Sequence, residues 1–325
     1  MKLSIIIVNF RSWECLDLCL ESLLEEASGQ PWEIIVVDNH SGDGRLREFA
    51  ARYSGVRFTE SDRNGGFADG CNRGAALASG QILLFLNPDV TAKRGSIRSL
   101  LAVKQSNPDV TILAASQVDS HGRLRKVFDV FPDRLTWFKT VKFLQRRLRP
   151  RRYPDPRQAF TGLQECDWVS GSVFMINRSD FDHFGGWRED FWMYSEDCDF
   201  CLRARRENRR VACSGDVQLV HAHGGSSRQN LSISILTRTE AIISKHLFVH
   251  LNYRESNEAL NHLCIFLAVV PGLLILSLLD ILTLRQLETL NTRSGVLRGL
   301  LRHYAHVHRD KSWRSRQVIT AEETA

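Results

Sequence analysis

The sequence predicts an α/β fold, with a mostly parallel central sheet, helices on both faces and a C-terminal helical appendage. Apolar, β-branched runs alternate with amphipathic segments through residues 3–86, a pattern typical of parallel strands joined by helices. Each apolar run ends in a turn that bears Asp, Asn or Gly, as strands do at the ligand-binding edge of an open sheet. Beyond residue 230 the pattern becomes helical and includes an uncharged apolar stretch.

The first elements follow from hydrophobic periodicity. Leu3–Asn9 is a continuous apolar run and predicts a buried strand. After Ser12, an apolar stripe that begins at Trp13 predicts a helix. The alternation continues with a strand at Glu33–Val37, a helix that includes Leu46, Phe49, Ala50 and Tyr53, a strand at Val56–Thr59, a small-residue helix at Gly66–Ser79 and a strand at Gln81–Leu86.

The middle of the chain is less regular. Val110–Ser116 suits a strand, and the turn signal Asp119–Gly122 predicts a hairpin into Leu124–Val130. Asp133–Pro156 is basic and bounded by prolines, so we expect a mobile or acceptor-facing loop. The other predicted elements are a strand region at Glu165–Asn177, helices at Arg178–Phe184 and Glu196–Glu207, and a strand at Val217–Val220.

The final third predicts a second region, so we divide the chain into a catalytic domain at 1–250 and an apolar and basic helical region at 251–325. Ser232–Leu251 is helical, and Leu263–Leu279 is uncharged but interrupted by Pro271-Gly272. A spanning helix needs about twenty apolar residues. A short or re-entrant membrane segment, an interfacial helix and a buried hairpin all remain open. Basic residues after this stretch favour contact with the cytoplasmic face of the inner membrane, as a peripheral or anchored protein.

The composition describes a globular protein. The chain is 43% hydrophobic and 25% charged, which excludes whole-chain disorder. The eight cysteines show no pairing framework, and we expect reduced thiols. The basic run Gln145–Arg152 suits phosphates, anionic lipid, nucleic acid or a solvated loop. Because the sequence has no recognisable reader motif, we expect no nucleic-acid partner.

A metal site is predicted after the Gln81–Leu86 strand. Asp89, in Asn87-Pro88-Asp89, projects from a strand end, where a carboxylate can hold Mg²⁺ or Mn²⁺ that bridges a diphosphate. The alternative is an ordinary Asn-Pro turn. His221 and His223 follow the Val217–Val220 strand, and either is a candidate to ligate the metal or bind a leaving diphosphate. We favour His223 over His221.

Two turns predict a nucleotide-sugar site. Asp38 follows a buried strand and can accept from the imide N–H of uracil or thymine, although Asp also suits a simple turn. In residues 64–74 the glycines permit close backbone approach, and the next helix offers its N-terminus to a phosphate. A tight helix–sheet contact is the alternative. The residues assigned to the nucleotide-sugar are Asn9, Asp38, Asn64, Gly65, Gly66, Phe67, Asn72, Asn87 and Arg228.

The acidic stretch Tyr194–Asp199 predicts the catalytic base. Transfer to a hydroxyl needs a carboxylate that takes the hydroxyl proton, and Asp197 is our choice, with Glu196 as the alternate. Acids at a helix start also fit the helix dipole without any catalytic role. The nearby aromatic and small residues suit an acceptor pocket or simply the core. The residues assigned to the acceptor are Trp168, Gly171, Trp192 and Tyr194.

Together these stretches resemble family 2 of the inverting glycosyltransferases, which has the GT-A fold, and within it the bacterial rhamnosyltransferase-like branch. The resemblance covers about residues 1–250. It is carried by SIIIVNF, VVDNHSGDG, NGGFADGCNRG, FLNPDV, GSVFMINRSDF, GGWREDFWMYSEDCDFCLR and HAHGGS.

This resemblance implies a nucleoside-diphosphate sugar donor, a divalent cation held at Asp89, a base at Asp197 and inversion at the anomeric carbon. It also implies work on cell-surface polysaccharide, often with a lipid-linked acceptor. Asn87 stands where the family's Asp-x-Asp element has its first Asp, which leaves the metal fewer charged ligands. The alternative to an enzyme is a catalytically inactive family member that serves as a membrane assembly partner, and the intact acidic motifs argue against it.

Overall fold

The computed structural model describes residues 2–222, 230–253, 257–283 and 286–317. The predicted βαβ alternation of the first ninety residues is confirmed with small shifts at the ends. The elements are β1 (Leu3–Asn9), α1 (Trp13–Ala27), β2 (Trp32–Asp38), α2 (Arg45–Arg52), β3 (Arg57–Glu60), α3 (Gly66–Leu77) and β4 (Ile82–Leu86).

The central part of the chain adds the rest of the sheet and four helices. Its elements are β5 (Val90–Thr91), α4 (Ser96–Ser106), β6 (Val110–Val118), β7 (Phe128–Asp129), α5 (Lys139–Leu148), β8 (Leu163–Glu165), β9 (Trp168–Val169), β10 (Val173–Asn177), α6 (Arg178–His183), α7 (Glu196–Arg206) and β11 (Arg210–His221). Neither β5 nor α4 is predicted from the sequence.

In the described residues the main sheet has nine strands, and its path runs β3-β2-β1-β4-β10-β6-β11-β5, with β8 beside β11. Strands β1, β2, β3 and β4 are parallel, as are β6 and β11, whereas β10 runs antiparallel to both of its neighbours. The fold class is therefore the predicted mostly parallel α/β sheet.

The structure corrects two predictions for the middle of the chain. The predicted turn at Asp119–Gly122 forms and an antiparallel bridge joins Val118 to Leu124, but the hairpin does not extend to Val130, because β7 pairs with β9 instead. The loop predicted over Asp133–Pro156 contains helix α5. Basic residues of α5 form ion pairs with the buried Asp129, and a short stretch of sequence does not reveal this tertiary contact.

Small residues hold α3 tightly against the sheet. A Cβ at Gly70 would lie 2.6 Å from a Val8 methyl, and one at Gly74 would lie 2.4 Å from an Ile6 methyl. A tight helix–sheet contact, the alternative considered for residues 64–74, is therefore real for the later part of that motif. It brings the first turn of α3 close to the carboxyl end of β1.

On the same face of the sheet as α3, an aromatic cluster surrounds Trp187. The Trp187 ring centroid lies 4.7 Å from that of Phe174 and 5.2 Å from those of Phe85 and Phe200. All four side chains are buried. This cluster fixes the chain that leads into α7, whose first turn bears Glu196 and Asp197.

Three helices follow the sheet: α8 (Leu231–Asn252), α9 (Glu258–Leu282) and α10 (Glu288–Asp310). The end of α8 is tied to α7, because Asn252 donates a hydrogen bond of 2.9 Å to the fully buried carboxylate of Asp199. Pro271 lies inside α9 and does not interrupt it, contrary to the predicted break. Within the described ranges, α9 is the helix that is long and apolar enough to cross a bilayer.

Candidate active site

A cavity of about 390 Å³ opens where the carboxyl ends of β1, β4 and β11 meet the first turns of α3 and α7. Its walls combine loop residues after the strands with one face of α8. The lining residues are Val8, Phe10, Asn39, Asn64, Gly66, Phe67, Asn87, Pro88, Asp89, Ser170, Gly171, Ser172, Trp192, Met193, Tyr194, Glu196, Asp197, His221, Ile233, Leu236 and Thr237. Its position matches the usual ligand site of open α/β sheets.

The two carboxylates that the sequence places at the centre of the chemistry line this same cavity. Asp89 lies three residues beyond the end of β4, and Asp197 lies in the first turn of α7. They are 108 positions apart in the chain (197 minus 89) and are brought together by the sheet and by the aromatic cluster under α7. The structure thus brings both predicted functional carboxylates into one cavity.

Asp89 forms a buried polar chain with His221. The Nε2 atom of His221 lies 3.1 Å from Oδ1 of Asp89, and its Nδ1 lies 2.6 Å from Oε1 of Gln117. Gln117 in turn donates a hydrogen bond of 2.9 Å to the hydroxyl of Ser172. This chain holds the Asp89 carboxylate and the His221 ring in fixed positions at the wall of the cavity.

Asn39 is a cavity residue that the sequence analysis missed. Its amide donates to Oδ1 of Asn64 at 3.0 Å and to the carbonyl of Gly66 at 2.9 Å, which joins the two loops predicted for the nucleotide. Its own Oδ1 is buried and has no hydrogen-bond partner among the described residues. A buried acceptor in the wall of a cavity favours a ligand that donates a hydrogen bond. The only sequence signal was its place directly after Asp38.

Asp38 itself is buried behind the cavity wall. Its carboxylate accepts from the Asn9 amide at 3.1 Å and from the Ser41 hydroxyl at 2.5 Å. Asn72 is also outside the lining residues, and it holds the turn before α7 through hydrogen bonds with the backbone of Trp187 at 2.8 and 2.9 Å. Asn9, Asp38 and Asn72 therefore support the loops of the site, and their predicted contacts with a nucleotide-sugar stay predictions.

Gly66 lets the α3 loop meet the chain that leads into α7. Its φ of +91° favours glycine, and a Cβ there would lie 2.1 Å from the carbonyl oxygen of Trp192. The same carbonyl accepts a hydrogen bond of 2.9 Å from the backbone N–H of Phe67. Gly65 does not line the cavity, and a Cβ at that position would collide with the side chain of Asp69.

The Asp197 carboxylate is held by backbone donors. Oδ2 accepts from Gly171 N at 3.1 Å, and Oδ1 accepts from Cys198 N at 2.7 Å. Burial raises the pKa of Asp197 above its usual range, and these two donors oppose that rise. A half-buried carboxylate with a raised pKa is a stronger base, and it remains within reach of a ligand in the cavity.

Glu196 is the more perturbed of the two acids. Burial raises its pKa well above the usual range, and the charge of Asp197 raises it further. Its Oε2 atom has no hydrogen-bond partner among the described residues. Of the two acids, Glu196 therefore has the pKa that is raised further, and Asp197 gives up its proton more readily.

The residues before α7 have a strained backbone. Tyr194 and Ser195 have φ values of +70° and +67°, in the left-handed region that non-glycine residues rarely adopt. Such strain is concentrated at functional sites. Here it turns the chain so that Tyr194, Glu196 and Asp197 all line the cavity.

The residues predicted for the acceptor separate into two groups. Gly171, Trp192 and Tyr194 line the cavity, whereas Trp168 lies beside it. The Trp168 indole donates to the carbonyl of Val130 at 3.0 Å, and its ring lies under the Lys126 ammonium at 5.4 Å. The predicted site residues His223 and Arg228 lie outside the described residues.

Helix α8 contributes a wall that the sequence analysis did not foresee. Ile233, Leu236 and Thr237 face the cavity from this helix. The Ser244 hydroxyl, further along α8, donates to the carbonyl of Met193 at 2.6 Å. No motif in α8 signals this role, which arises only because α8 packs beside α7.

The donor atoms near Asp89 suit a divalent cation only in part. Among the described residues no group of three or more His, Cys, Asp and Glu side chains could hold a metal ion. Asp89 and His221 nevertheless stand side by side in the cavity wall. Mg²⁺ and Mn²⁺ are commonly bound by one or two protein ligands together with substrate phosphates, so this pair fits a site that the substrate completes.

Comparison with known proteins places these features in a family. Residues 4–185 match the sequence profile of glycosyl transferase family 2. The chain is 30% identical over 223 residues to the low-salt glycan biosynthesis hexosyltransferase Agl10 of Haloferax volcanii, a match that covers 67% of this chain and 66% of that protein. It is 28% identical over 223 residues to the N-acetylglucosaminyl-diphospho-decaprenol L-rhamnosyltransferase of Mycobacterium tuberculosis, covering 61% of this chain and 68% of that protein. The match thus spans about two thirds of each relative's length.

A solved structure shows the same fold. The mannosyltransferase PcManGT from Pyrobaculum calidifontis, in complex with GDP-Man and Mn²⁺, superposes with a TM-score of 0.54 over 92% of this chain and 86% of its own. Its sequence is 14% identical, so the likeness concerns the fold alone. That fold is the predicted GT-A fold of glycosyltransferases.

Proposed function

This chain belongs to glycosyl transferase family 2, and from that premise we propose that it moves a hexosyl group, with rhamnose as first candidate, from a nucleoside-diphosphate sugar to a hydroxyl of a lipid-linked or cell-surface glycan. The main support for this proposal is that Asp89, His221 and Asp197 line one and the same cavity. Similarity to a hexosyltransferase and a rhamnosyltransferase supports the class of sugar.

In the proposed reaction, Asp197 is the general base. The acceptor oxygen forms a bond to C1 of the sugar as the bond from C1 to the diphosphate oxygen breaks. The hydroxyl proton moves to the carboxylate of Asp197, and the electron pair leaves with the diphosphate. Attack from the opposite face inverts the anomeric carbon. The backbone donors Gly171 N and Cys198 N keep the carboxylate in place for this transfer.

Asp89 and His221 are the described residues that would hold a divalent cation, and the solved relative with Mn²⁺ supports its use. When bound, such a cation supplies charge neutralisation for the departing diphosphate. The Gln117–Ser172 chain behind His221 orients the imidazole ring. His223, which is outside the described residues, stays a predicted additional ligand.

Binding of the donor is proposed for the loops joined by Asn39. Asn39, Asn64 and the backbone at Gly66 form one hydrogen-bonded wall, and the unpaired Asn39 carbonyl can accept from a base or a sugar hydroxyl. Asp38, which is tied to Asn9 and Ser41, would act by fixing this wall.

Membrane association is proposed for the C-terminal helices. Only 22% of the most apolar window of α9 is buried, so this helix is not an ordinary core helix. The relative from Mycobacterium tuberculosis is named for a decaprenol-linked substrate, which supports a lipid-linked acceptor here. We place the protein at the cytoplasmic face of the inner membrane.

A donor screen tests the proposed function. Purified protein is incubated with dTDP- and UDP-sugars and Mn²⁺ or Mg²⁺, and release of the nucleoside diphosphate is measured. We expect metal-dependent release with one donor. Asp197→Asn should lower turnover by about 10²-fold or more, as loss of a general base does. Asp109→Asn, an exposed surface change, is the matched control.

A measurement of Mn²⁺ binding separates the proposed metal ligands from the proposed base. Asp89→Asn should weaken Mn²⁺ binding, measured by electron paramagnetic resonance in the presence of the nucleoside diphosphate, whereas Asp197→Asn should not. No release with any donor would instead support the inactive assembly partner. Full turnover in Asp197→Asn would remove the base assignment.

A further inference from the structure

A group of cations beside the cavity has no role in the reaction described so far. Lys126, Lys142 and Arg146 converge on the buried carboxylate of Asp129, at 2.5, 2.7 and 3.1 Å. Burial alone would raise the pKa of Asp129, but Lys126 and Lys142 lower it to about 2. One carboxylate therefore faces three cations, and the surroundings remain positively charged.

Lys245 adds a further charge to this group from α8. Burial and repulsion by Lys139, Lys126 and Lys142 lower its pKa to about 8. Among the described residues, the charged groups that act on Lys245 are all cations, and no carboxylate forms an ion pair with it. A partly buried ammonium next to like charges is unfavourable unless an anion is bound there.

The cation group adjoins the acceptor side of the cavity. The Lys126 ammonium lies over the Trp168 ring, and the carbonyl of the next residue, Val127, accepts a hydrogen bond of 2.8 Å from Ser170. Ser170 lines the cavity next to Gly171, which holds Asp197. Lys126 is also close enough to lower the pKa of Asp197. From α8, Ser244 beside Lys245 contacts the cavity residue Met193.

Helix α5 gives the cation group an apolar border. Lys142 and Arg146 reach inward to Asp129, whereas Phe143 and Leu148 of the same helix are 62% and 71% exposed. No residue of α5 is buried. A helix with inward cations and outward apolar side chains suits an anion that is attached to an apolar chain.

We propose that Lys126, Lys139, Lys142 and Lys245 form a site for the diphosphate of a lipid-linked acceptor, which places the acceptor hydroxyl at Asp197. This inference rests on the proposed transferase function and adds to it the residues that would recognise the diphosphate of a lipid-linked acceptor. Ammonium groups recognise phosphate oxygens through charge-assisted hydrogen bonds. Lys245 is half-buried on α8 and near the lysines of α5, which favours an inserted diphosphate over the flat surface of a bilayer.

Binding measurements on the full chain test this site without relying on turnover. The probes are farnesyl diphosphate and inorganic pyrophosphate, titrated by calorimetry into wild type, Lys245→Met and Lys126→Met. Each substitution should raise the Kd for both probes about tenfold, as loss of one charged hydrogen bond does. Lys2→Met, at the amino end of the central strand β1, should leave both values unchanged. The exposed Lys126 keeps the test valid if the Lys245 variant folds poorly.

Two further binding measurements distinguish the possible sources of the anion. The Kd for UDP or dTDP should be the same in wild type and the lysine variants, and a parallel loss would assign the cations to the donor instead. Binding to phosphatidylglycerol vesicles should also be unchanged, and a selective loss there would assign them to bulk lipid headgroups. Unaltered farnesyl diphosphate binding in both variants overturns the proposal. Because the donor screen reports turnover separately, failure of the transferase function and failure of this site are distinguishable.

Discussion

The Asp197 carboxylate shows how a single residue can be prepared for its role by its surroundings. It is half-buried beside the buried Glu196, is held by two backbone N–H donors, and lies near the positive charge of Lys126. Burial sets the direction of its pKa shift, and Lys126 opposes it. The balance between these effects should be visible in the pH dependence of turnover.

We predict that turnover rises with pH through a pKa above the usual range of aspartate. The sign follows from the role, because the base acts only when ionised, and burial favours its neutral form. In Lys126→Met the midpoint of this rise should move to higher pH, because the substitution removes a charge that stabilises the ionised carboxylate. The measurement is kcat as a function of pH at saturating acceptor, with Lys2→Met as control. An unchanged midpoint of the rise of kcat with pH in Lys126→Met would contradict this account.

At the scale of elements, the loop before α3 depends on a glycine that no side chain can replace. Gly66 combines a positive φ with a contact at the Trp192 carbonyl, and this contact joins α3 to the segment before α7. Both halves of the cavity wall are positioned by it. A change at Gly66 should therefore affect both the stability of the fold and the geometry of the site.

Gly66→Ala should destabilise the protein by more than about 2 kcal/mol, because left-handed strain and a steric collision act together. Gly95→Ala is the matched control, since Gly95 has a φ of +84° but open space around its Cα. That variant should lose only about 1–2 kcal/mol, the strain alone. Urea unfolding of both variants measures the difference. Equal losses would show that the collision at Trp192 relaxes without cost.

Helix α5 illustrates why an element can be missed. Its basic composition and the flanking prolines favoured a loop in the sequence. The helix is stabilised by Lys142 and Arg146 at Asp129, more than ten positions earlier in the chain, and its periodicity does not reveal that partner. The hairpin after Val118 is shorter than predicted for the same reason, because β7 pairs with the distant β9.

At the scale of the whole molecule, the C-terminal helices both complete the cavity and expose apolar surface. Helix α8 lines the site, while α9 presents exposed side chains such as Leu278 and Leu282, at 62% and 78%. Contiguous exposed apolar surface of this kind marks a site of membrane or protein contact. The arrangement would hold the cavity near a bilayer that carries the acceptor.

We predict that the protein floats with vesicles that contain phosphatidylglycerol, and that the double variant Leu278→Gln/Leu282→Gln binds them at least about a hundredfold more weakly. Each leucine that enters the lipid contributes roughly 1.5–3 kcal/mol. Leu18→Gln is the matched control, because Leu18 is equally exposed, at 60%, on a helix of the catalytic domain. Flotation assays give the bound fraction. Unchanged binding of the double variant would place the contact elsewhere.

Local patterns in the sequence determined the alternation of strands and helices, the turn residues at the strand ends and the identity of Asp89 and Asp197 as cavity residues. These features depend on side-chain periodicity and turn chemistry, which short stretches of chain contain in full. The tertiary structure decided that Asn39 rather than Asp38 faces the cavity, that α8 forms one of its walls and that Lys245 joins the cations around Asp129. Each of these depends on which distant segments pack together, and the energy of that packing cannot be read from a short stretch of sequence.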